Sequence, residues 1–348
     1  MKDLKRRLES HPVDAWAPCR IDCGGTLDIK TLYYTLGYLS PCTFNIALNL
    51  KTRVRLRPYT SGLVKVSSRG FQSEVHPADR APFDSPLGLM LAVAACFRVG
   101  GVHIDIMSES PPKSALGGSS SAAVALTGAL SMTLGDGGHE EKIVLLAHAI
   151  EEAIAGVPCG LQDHLAAAYG GVHVWSWPSD PTEPPFKRRE VLTKKDYEEL
   201  ENRLLVAYCG VPHESSDINT KWIRGFLAGK DRHLWSDIAG YTKTFVKALG
   251  LKDWTSAAQA MNKEVESRRE MTPEVFDPVG RTLLEVAMSH HCGARFTGAG
   301  GGGCIWALGE ARHIQGLQSA WTDILSTDKE ARLLQGKVDP EGLEVTSY

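Results

Sequence analysis

The chain has 348 residues, of which 43% are hydrophobic and 23% are charged, and its formal net charge is −3. This length favours two packed domains, and the near-neutral charge gives no general attraction to nucleic acid or to an anionic membrane. We therefore expect a globular protein whose partners are small molecules. The composition leaves the oligomeric state open.

The N-terminus and the cysteines bear on where the protein works. Residues 1–10 are charged and are not followed by an apolar stretch, so they lack the layout of a secretory signal. The longest apolar run, residues 87–97, is shorter than the ~20 residues that a membrane-spanning helix needs. The eight cysteines include no CxxC pair and no partner histidines at zinc spacing, which is typical of reduced thiols. We expect a cytoplasmic protein.

The first half of the chain is predicted to begin as an antiparallel sheet, because polar and apolar residues alternate at 53–57 and 63–66. The elements predicted after it are a helix at 87–99, a strand at 102–107, a Gly/Ser turn at 114–121, a helix to about Met132, a helix at 140–154 and a helix from Leu161. Four prolines between 177 and 189 predict an irregular segment.

We place a domain junction just beyond that proline-rich segment, which divides the chain into domains 1–195 and 196–348. The elements predicted for the second domain are a strand at 204–208, amphipathic helices between 217 and 289, strands at 294–296 and 304–308, and a final strand near 343–345.

Residues 111–123, Pro-Pro-Lys-Ser-Ala-Leu-Gly-Gly-Ser-Ser-Ser-Ala-Ala, lead from a strand into an alanine-rich helix. Glycines let the backbone approach a phosphate, and the free amides and dipole of a helix start favour negative charge. Serine hydroxyls can add donors or bind a metal. The pattern predicts a phosphate-binding turn, with a purely structural helix cap as the alternative. It is not a Walker A loop, because the chain has no Gly-x4-Gly-Lys-Ser/Thr.

Residues 151–164, Glu-Glu-Ala-Ile-Ala-Gly-Val-Pro-Cys-Gly-Leu-Gln-Asp-His, place two carboxylates around a tight turn between helices. Phosphoryl transfer needs a cation on the phosphate oxygens and a group that orients or deprotonates the attacking hydroxyl. Glu151 and Asp163 can supply both. The alternative is a helix cap at Asp163 and a solvated surface residue at Glu151. For His164 we expect a hydrogen-bonding role rather than a general-base role.

Residues 293–307 contain four successive glycines between two predicted strands. Formally this stretch includes Gly-x-Gly-x-x-Gly, but a dinucleotide-binding loop needs a helix after the glycines, and residues 304–308 read as a strand. A glycine-rich hairpin beside a ligand is therefore predicted, with a plain flexible hairpin as the alternative.

Residues 17–28, Ala-Pro-Cys-Arg-Ile-Asp-Cys-Gly-Gly-Thr-Leu-Asp, complete a set of four motifs that resemble, in order, the signatures of the GHMP kinases. That family includes galactokinase, homoserine kinase, mevalonate kinase and phosphomevalonate kinase. The resemblance implies an ATP-dependent phosphotransferase with an alcohol acceptor that uses Mg²⁺. It also implies a two-domain α+β fold, with an N-terminal domain like ribosomal protein S5 domain 2 and a ferredoxin-like C-terminal domain.

The resemblance also implies roles for single residues. Asp163 falls on the catalytic base and Arg20 on the arginine beside it, while a surface salt bridge is the alternative for Arg20. The implied ATP-binding residues are Ser114, Leu116, Gly117, Gly118, Ser119, Ser120 and Ser121. The implied substrate-binding residues are Gly25, Thr26, Asp28, Gly160, Asp163, Gly300 and Gly301. The implied metal ligands are Ser121 and Glu151. The phosphate turn, the glycine hairpin and the two carboxylates are expected to close around one triphosphate.

The acceptor is predicted from differences between family members. Residues 23–28 lack the Glu and His that galactokinases carry in this motif. Paired glycines at 24–25 and the Gln162-Asp163 dipeptide look more like heptose-phosphate 1-kinases and fucokinases. We expect phosphorylation of the anomeric (C1) hydroxyl of a sugar or sugar phosphate, most like heptose 7-phosphate.

Other functions remain open at this point. Galactokinase and fucokinase activities are alternatives within the sugar kinases, and a mevalonate kinase-like isoprenoid kinase would share the loops. A catalytically silent sugar or nucleotide sensor is a further alternative. The joint presence of Asp163, Glu151 and Arg20 argues against a silent sensor, because such a protein has no need of catalytic groups.

Overall fold

A computed structural model describes residues 2–156, 158–212 and 215–348. The strands, numbered along the chain, are β1 (Lys2–Asp3), β2 (Val13–Cys23), β3 (Cys42–Pro58), β4 (Leu63–Ser68), β5 (Glu74–Pro77), β6 (Val99–Gly100), β7 (Val102–Ser108), β8 (Val172–Ser176), β9 (Lys187–Leu192), β10 (Leu204–Tyr208), β11 (Gly293–Phe296), β12 (Cys304–Leu308), β13 (Arg332–Leu334) and β14 (Glu344–Ser347).

The helices are α1 (Lys5–Ser10), α2 (Lys30–Thr35), α3 (Gly88–Cys96), α4 (Gly118–Leu134), α5 (Glu140–Ala155), α6 (Gln162–Tyr169), α7 (Tyr197–Glu201), α8 (Ser215–Leu227), α9 (Arg232–Gly250), α10 (Trp254–Met271), α11 (Pro278–Ser289) and α12 (Ala311–Leu325). Short 3₁₀ turns lie at Gly37–Leu39, Lys194–Asp196 and Pro273–Val275. Within the described parts of the chain, no helix combines the length and the apolar character needed to cross a membrane.

The N-terminal sheet has the strand order β14-β2-β3-β7-β4-β5, and β8 and β9 extend it beside the first part of β3. The 17-residue strand β3 makes this possible, because it pairs with β8 over residues 42–46 and with β7 over residues 52–58. Helix α4 packs on β2 and β3 and is buried on nearly every side, which explains its run of alanine and other small residues. This packing fixes the start of α4 against the sheet.

The C-terminal sheet has the order β11-β12-β10-β13, and each neighbouring pair is antiparallel. Four helices, α8 to α11, connect β10 to β11, and α12 connects β12 to β13. Counted along the chain, the four strands lie in the order 2-3-1-4 with a helical connection inside each half, which is a ferredoxin-like arrangement. The predicted two-domain α+β fold is confirmed.

Two details differ from the expectations. The segment 177–189 is not irregular to its end, because Lys187–Leu192 forms β9 and pairs with β8. Its prolines stop at Pro185, so β9 keeps the amides that an edge strand needs. The final strand, β14, pairs with β2 in the N-terminal sheet, so the chain returns to its first domain. Apart from β14, the domain boundary between residues 195 and 196 stays a prediction.

A shared apolar cluster joins the two domains. Phe245 of α9 is fully buried, and its ring centroid lies 5.1 Å from that of Phe44 on β3 and 6.2 Å from that of Trp306 on β12. Both contacts are edge-to-face, the arrangement that aromatic rings favour. Because one ring contacts a strand of each sheet, this cluster fixes the two sheets relative to each other.

We predict that Phe245→Ala lowers the free energy of unfolding by about 3–5 kcal/mol, because it leaves a cavity between the sheets. Urea denaturation followed by fluorescence measures this. Leu251→Ala is the control, since Leu251 is 71% exposed and follows the same helix; its effect should stay within about 0.5 kcal/mol. A similar small loss for Phe245→Ala would contradict the joining role.

Candidate active site

Segments from all four sequence motifs line one cavity of about 490 Å³. Its walls include Arg20 of β2, Asp28 after β2, the turn before α4, Glu151 of α5, Asp163 of α6 and Gly298 of the glycine hairpin. The four segments therefore lie around one cavity, and their closure around a triphosphate stays a prediction.

Arg20 and Asp163 form a bidentate ion pair at the centre of this cavity. Arg20 Nε donates to Asp163 Oδ1 at 2.7 Å, and Arg20 Nη2 donates to Oδ2 at 2.9 Å. The Arg20 side chain is 5% exposed and that of Asp163 is 23% exposed, so the carboxylate faces the cavity while the guanidinium lies behind it. The fork geometry fixes the plane of the carboxylate.

The turn before α4 is held in an unusual backbone conformation beside this pair. Lys113, Ala115 and Gly117 all have left-handed φ values, of 54°, 61° and 79°. Arg20 Nη1 donates to Ala115 O at 2.6 Å. A Cβ atom at position 117 would lie 3.2 Å from Asp163 Oδ2, so the absence of a side chain lets the carboxylate approach the helix start.

The glycine hairpin packs against the same turn. A Cβ atom at Gly303 would lie 2.7 Å from Ser114 O, which requires glycine there. Gly298 N donates to Asp22 Oδ1 at 2.7 Å, and Gly298 and Ala299 reach the cavity wall. The hairpin therefore closes the C-terminal side of the site.

Ser120 and Glu151 form a second polar pair in the cavity wall. Ser120 Oγ donates to Glu151 Oε2 at 2.8 Å, and His164 Nε2 lies 2.8 Å from the same oxygen. Burial alone would raise the pKa of Glu151, but contacts with His164 and Ser120 outweigh it and hold this pKa below its usual value. Glu151 is therefore an anion at neutral pH. His164 is fully buried behind Glu151 and is not part of the cavity wall, a position that suits support of Glu151 better than contact with a substrate.

Two residues of the α4 turn do not lie where the resemblance implied. Ser121 Oγ shares its one proton between two carbonyls, Pro18 O at 2.8 Å and Gly117 O at 2.9 Å, and it is Ser120 that reaches Glu151. Leu116 is fully buried in the core, and only its carbonyl is used, as the acceptor of the Arg20 amide. Ser114, Gly117, Gly118, Ser119 and Ser120 do line the cavity.

Asp28 lies in the cavity wall and is 4% exposed. Burial raises the pKa of its carboxyl to about 6; the hydrogen bond from Gln162 N to Oδ2, at 3.0 Å, opposes this rise, and the charge of Asp163 adds to it. A Cβ atom at Gly160 would lie 1.9 Å from Asp28 Oδ2, so glycine leaves the space that the carboxylate occupies.

Three of the glycines assigned to the substrate do not line the cavity. Gly25 lies behind it, and its carbonyl accepts a hydrogen bond from Arg268 Nη2. Gly300 N donates to Thr297 O within the hairpin, and Gly301 N donates to Val275 O of the 3₁₀ turn after α10. These amides are already satisfied, and the neighbouring Gly298 and Ala299 form the cavity face instead. Thr26 and Gly160 do line the cavity, as expected.

Several cavity residues received no binding role from the sequence, and Gln162 was noted there only as part of the Gln162-Asp163 dipeptide. Gln162 is 5% exposed, lines the cavity and has no partner for its Oε1. The wall also has an apolar part, here termed the apolar end, which includes Phe71, Leu87, Leu89, Met90 and Ile106. The sequence did contain a signal for a site role of Gln162, because this residue stands next to Asp163. The apolar residues come from separate segments with no shared motif.

Comparison with known proteins identifies two domain families. Residues 86–171 match the family "GHMP kinases N terminal domain", and residues 245–326 match "GHMP kinases C terminal". The chain is 22% identical over 298 residues to mevalonate kinase of Pyrococcus horikoshii, which covers 76% of this chain and 82% of that protein. It is 24% identical over 346 residues to galactokinase of Mycobacterium bovis, which covers 88% and 91%.

Among solved structures, the chain resembles a D-glycero-D-manno-heptose 1-phosphate kinase from Bacteroides thetaiotaomicron. The TM-score is 0.74 with 17% sequence identity, and the alignment covers 96% of this chain and 98% of the other. At this level of identity the similarity concerns the fold.

We predict that Asp28 titrates with a midpoint near pH 6, because burial disfavours its charged form. Carboxyl ¹³C NMR of protein labelled at aspartate measures this, and Asp28→Asn assigns the resonance by its disappearance. The carboxyl is then protonated below pH 6 and ionised above it. A midpoint near the ordinary value of ~3.9 would contradict the deduced environment.

Proposed function

Because this chain belongs to the GHMP kinase family and is an ATP-dependent phosphotransferase, we propose that it phosphorylates the anomeric (C1) hydroxyl of a sugar. The observation that carries this proposal is the Arg20–Asp163 pair, which holds a carboxylate against the glycine-rich start of α4. One group that can accept a hydroxyl proton thus faces a turn suited to phosphate.

In the proposed reaction, Asp163 orients the acceptor hydroxyl and takes its proton as the oxygen attacks the γ-phosphorus of ATP. The bond from the γ-phosphorus to the bridging oxygen breaks, and ADP leaves. Transition states of this kind are loose, so most of the acceleration comes from positioning and charge. Arg20 lies 5% exposed behind Asp163, where its charge also stabilises the developing alkoxide.

The acceptor hydroxyls are proposed to bind Asp28, Gln162 and Thr26. Asp28 uses one carboxylate oxygen for the Gln162 amide, so its other oxygen can accept from a sugar hydroxyl. Gln162 lines the cavity and its buried Oε1 has no partner, and a buried unpaired acceptor is costly until a ligand donates to it. Gly160 contributes the space beside Asp28.

The nucleotide is proposed to lie along the start of α4. Amides of Gly117 and Gly118 and the hydroxyls of Ser119 and Ser120 would bind phosphate oxygens, while Lys113 and Arg69 add positive charge to the wall. The apolar end around Phe71, Leu87 and Met90 suits a flat base. With the base at the apolar end and the phosphates at the start of α4, the γ-phosphate would lie beside Asp163.

Ser120 and Glu151 fit Mg²⁺, which prefers hard oxygen ligands and keeps several of its positions for water and phosphate. Across the described residues, no cluster of three or more His, Cys, Asp or Glu side chains could hold a metal alone. The proposed site needs no such cluster, because two protein oxygens and the triphosphate would bind the ion together. Bound there, the ion would neutralise charge on the β and γ oxygens. Ser120 takes the place that the resemblance gave to Ser121.

Among the possible acceptors, a heptose 7-phosphate-like sugar remains the specific proposal, on the strength of the paired glycines and the Gln162-Asp163 dipeptide. Galactose and fucose are the neutral alternatives. Mevalonate is a second candidate class, because curated mevalonate kinases are similar to most of the chain. Arg20, Glu151 and Asp163 all stand in the cavity wall, which supports an active kinase over a silent sensor. Eight free cysteines support a cytoplasmic location.

A coupled assay of ADP release across free sugars, sugar phosphates and mevalonate tests the proposed function. We predict release that depends on a sugar, with the phosphate at C1 by ³¹P and ¹³C NMR of the product. Asp163→Asn should lower kcat on that sugar by about 10²- to 10⁴-fold, because the base is removed. The control Asp323→Asn, an exposed residue of α12, should retain full activity. Release with mevalonate alone would overturn the sugar assignment.

The choice between the two serines gives a second prediction. Ser120→Ala and Glu151→Gln should each raise the half-saturating Mg²⁺ concentration about tenfold or more. Ser121→Ala should instead lower stability by about 1 kcal/mol, through loss of its hydrogen bonds to Pro18 O and Gly117 O, with the Mg²⁺ dependence unchanged. Steady-state kinetics against Mg²⁺ and urea denaturation separate the two effects. The reverse pattern would restore Ser121 as the ligand.

A further inference from the structure

A chain of alternating buried charges lies behind the cavity. Asp22, Glu264, Arg268 and Arg295 all have fully buried side chains, and they connect to Arg20 and through it to Asp163. Three acids and three arginines make up this chain. None of Glu264, Arg268 and Arg295 lines the cavity or enters the reaction described above.

Glu264 of α10 is the branch point. Its Oε1 accepts from Arg268 Nε at 3.0 Å and from Arg295 Nη2 at 3.3 Å, and its Oε2 accepts from Arg295 Nε at 3.0 Å. Burial alone would raise the pKa of Glu264, but the charges of Arg295 and Arg268 outweigh it and keep this pKa below the usual value. One carboxylate therefore holds two arginines that lead in different directions.

The first arm reaches the acceptor side. Arg268 Nη1 donates to Thr26 Oγ1 at 3.0 Å, and Arg268 Nη2 donates to Gly25 O. Its guanidinium carbon lies 4.8 Å from the ring centroid of Trp222 and 5.2 Å from that of Trp235. Two indoles and Glu264 thus fix the guanidinium before it contacts residues 24–28, which we term the acceptor loop.

The acceptor loop has a conformation that needs such support. Thr26 has a φ of 79°, a region that β-branched residues rarely adopt and that costs about 1–3 kcal/mol. Thr26 and Asp28 both line the cavity. A loop held in this state by contacts from another domain would relax if those contacts were lost, and the Asp28 carboxylate would move with it.

The second arm reaches the proposed catalytic pair. Arg295 Nη1 donates to Asp22 Oδ2 at 3.0 Å, and Asp22 Oδ1 accepts from Gly298 N and lies 3.5 Å from Arg20 Nη1. Arg20 then binds Asp163. Through Glu264, one rigid helix of the C-terminal domain contacts both the acceptor loop and the support of the catalytic pair.

Stability alone is a weak reason for such a chain, because replacing buried ion pairs by apolar residues is often neutral or stabilising. Apolar packing cannot fix hydrogen-bond geometry at two distant points, whereas the chain of buried charges can. We propose that Arg268 is a positioning residue that, held by Glu264, sets the acceptor loop relative to the Arg20–Asp163 pair. This proposal rests on the proposed sugar kinase function for its kinetic consequences, but not for its structural ones.

Arg268→Met tests the proposal, because it keeps much of the side-chain volume while Glu264 keeps Arg295 as a partner. We expect kcat/KM for the sugar to fall about 10- to 100-fold, as for displaced reacting groups, while KM for ATP stays within about twofold. Arg268→Lys, which retains the charge and a donor, should recover part of the loss. Arg269→Met is the matched control, since Arg269 is 40% exposed on the same helix and pairs with Glu266.

Hydrogen–deuterium exchange gives a readout that needs no known acceptor. In Arg268→Met, amides of residues 24–29 should exchange faster, while those of residues 118–124 at the start of α4 should be unchanged. If a folded Arg268→Met variant shows wild-type exchange at residues 24–29, the proposal is wrong. It is also wrong if kcat/KM falls equally for the sugar and for ATP while exchange becomes faster throughout the protein. If Arg268→Met fails to fold, Arg268→Lys carries the same comparison. If the wild-type protein phosphorylates none of the sugars, the proposed function is wrong. The exchange result then tests the positioning role of Arg268 by itself.

Discussion

The bidentate ion pair between Arg20 and Asp163 is the interaction on which the rest of the site depends. It joins β2 to α6, its guanidinium also holds the carbonyl of Ala115 in the turn before α4, and its carboxylate lies against Gly117. A carboxylate so close to a helix start meets a positive backbone field and a fixed positive side chain. These contacts account for the glycine at 117 and for the left-handed backbone at Ala115.

The two domains contribute different parts of this arrangement. The N-terminal domain supplies the turn before α4, Glu151 of α5 and Asp163 of α6. The C-terminal domain supplies the glycine hairpin and the buried arginines Arg268 and Arg295. The shared aromatic cluster around Phe245 fixes the two sheets relative to each other, and the Glu264 branch carries that fixed relation to the cavity. The relative placement of acceptor and phosphate is thus set by buried contacts between domains rather than by mobile surface loops.

Sequence reasoning reached the α+β fold, the order of the main elements and four charged residues of the cavity wall, Arg20, Asp28, Glu151 and Asp163, because these four belong to recognisable motifs. It did not reach Arg69, which lines the cavity from a segment with no motif. It named Ser121 as a metal ligand, whereas Ser120 is the serine that contacts Glu151. Neighbours on a helix differ by about 100° in direction, and only packing decides which of them faces the cavity. It also assigned Gly300 and Gly301 to substrate binding, whereas their amides donate hydrogen bonds to carbonyls within the protein. Glu264 and Arg268 lie in an amphipathic helix with no motif, so only the fold reveals their contacts.

A crystal structure with a non-hydrolysable ATP analogue and Mg²⁺ tests the central claim most directly. The account predicts the base in the apolar end near Phe71 and Met90, the γ-phosphate between Ser120 and Asp163, and the metal on Glu151. A triphosphate directed away from Asp163, or a nucleotide bound outside the cavity that contains the Arg20–Asp163 pair, would contradict it.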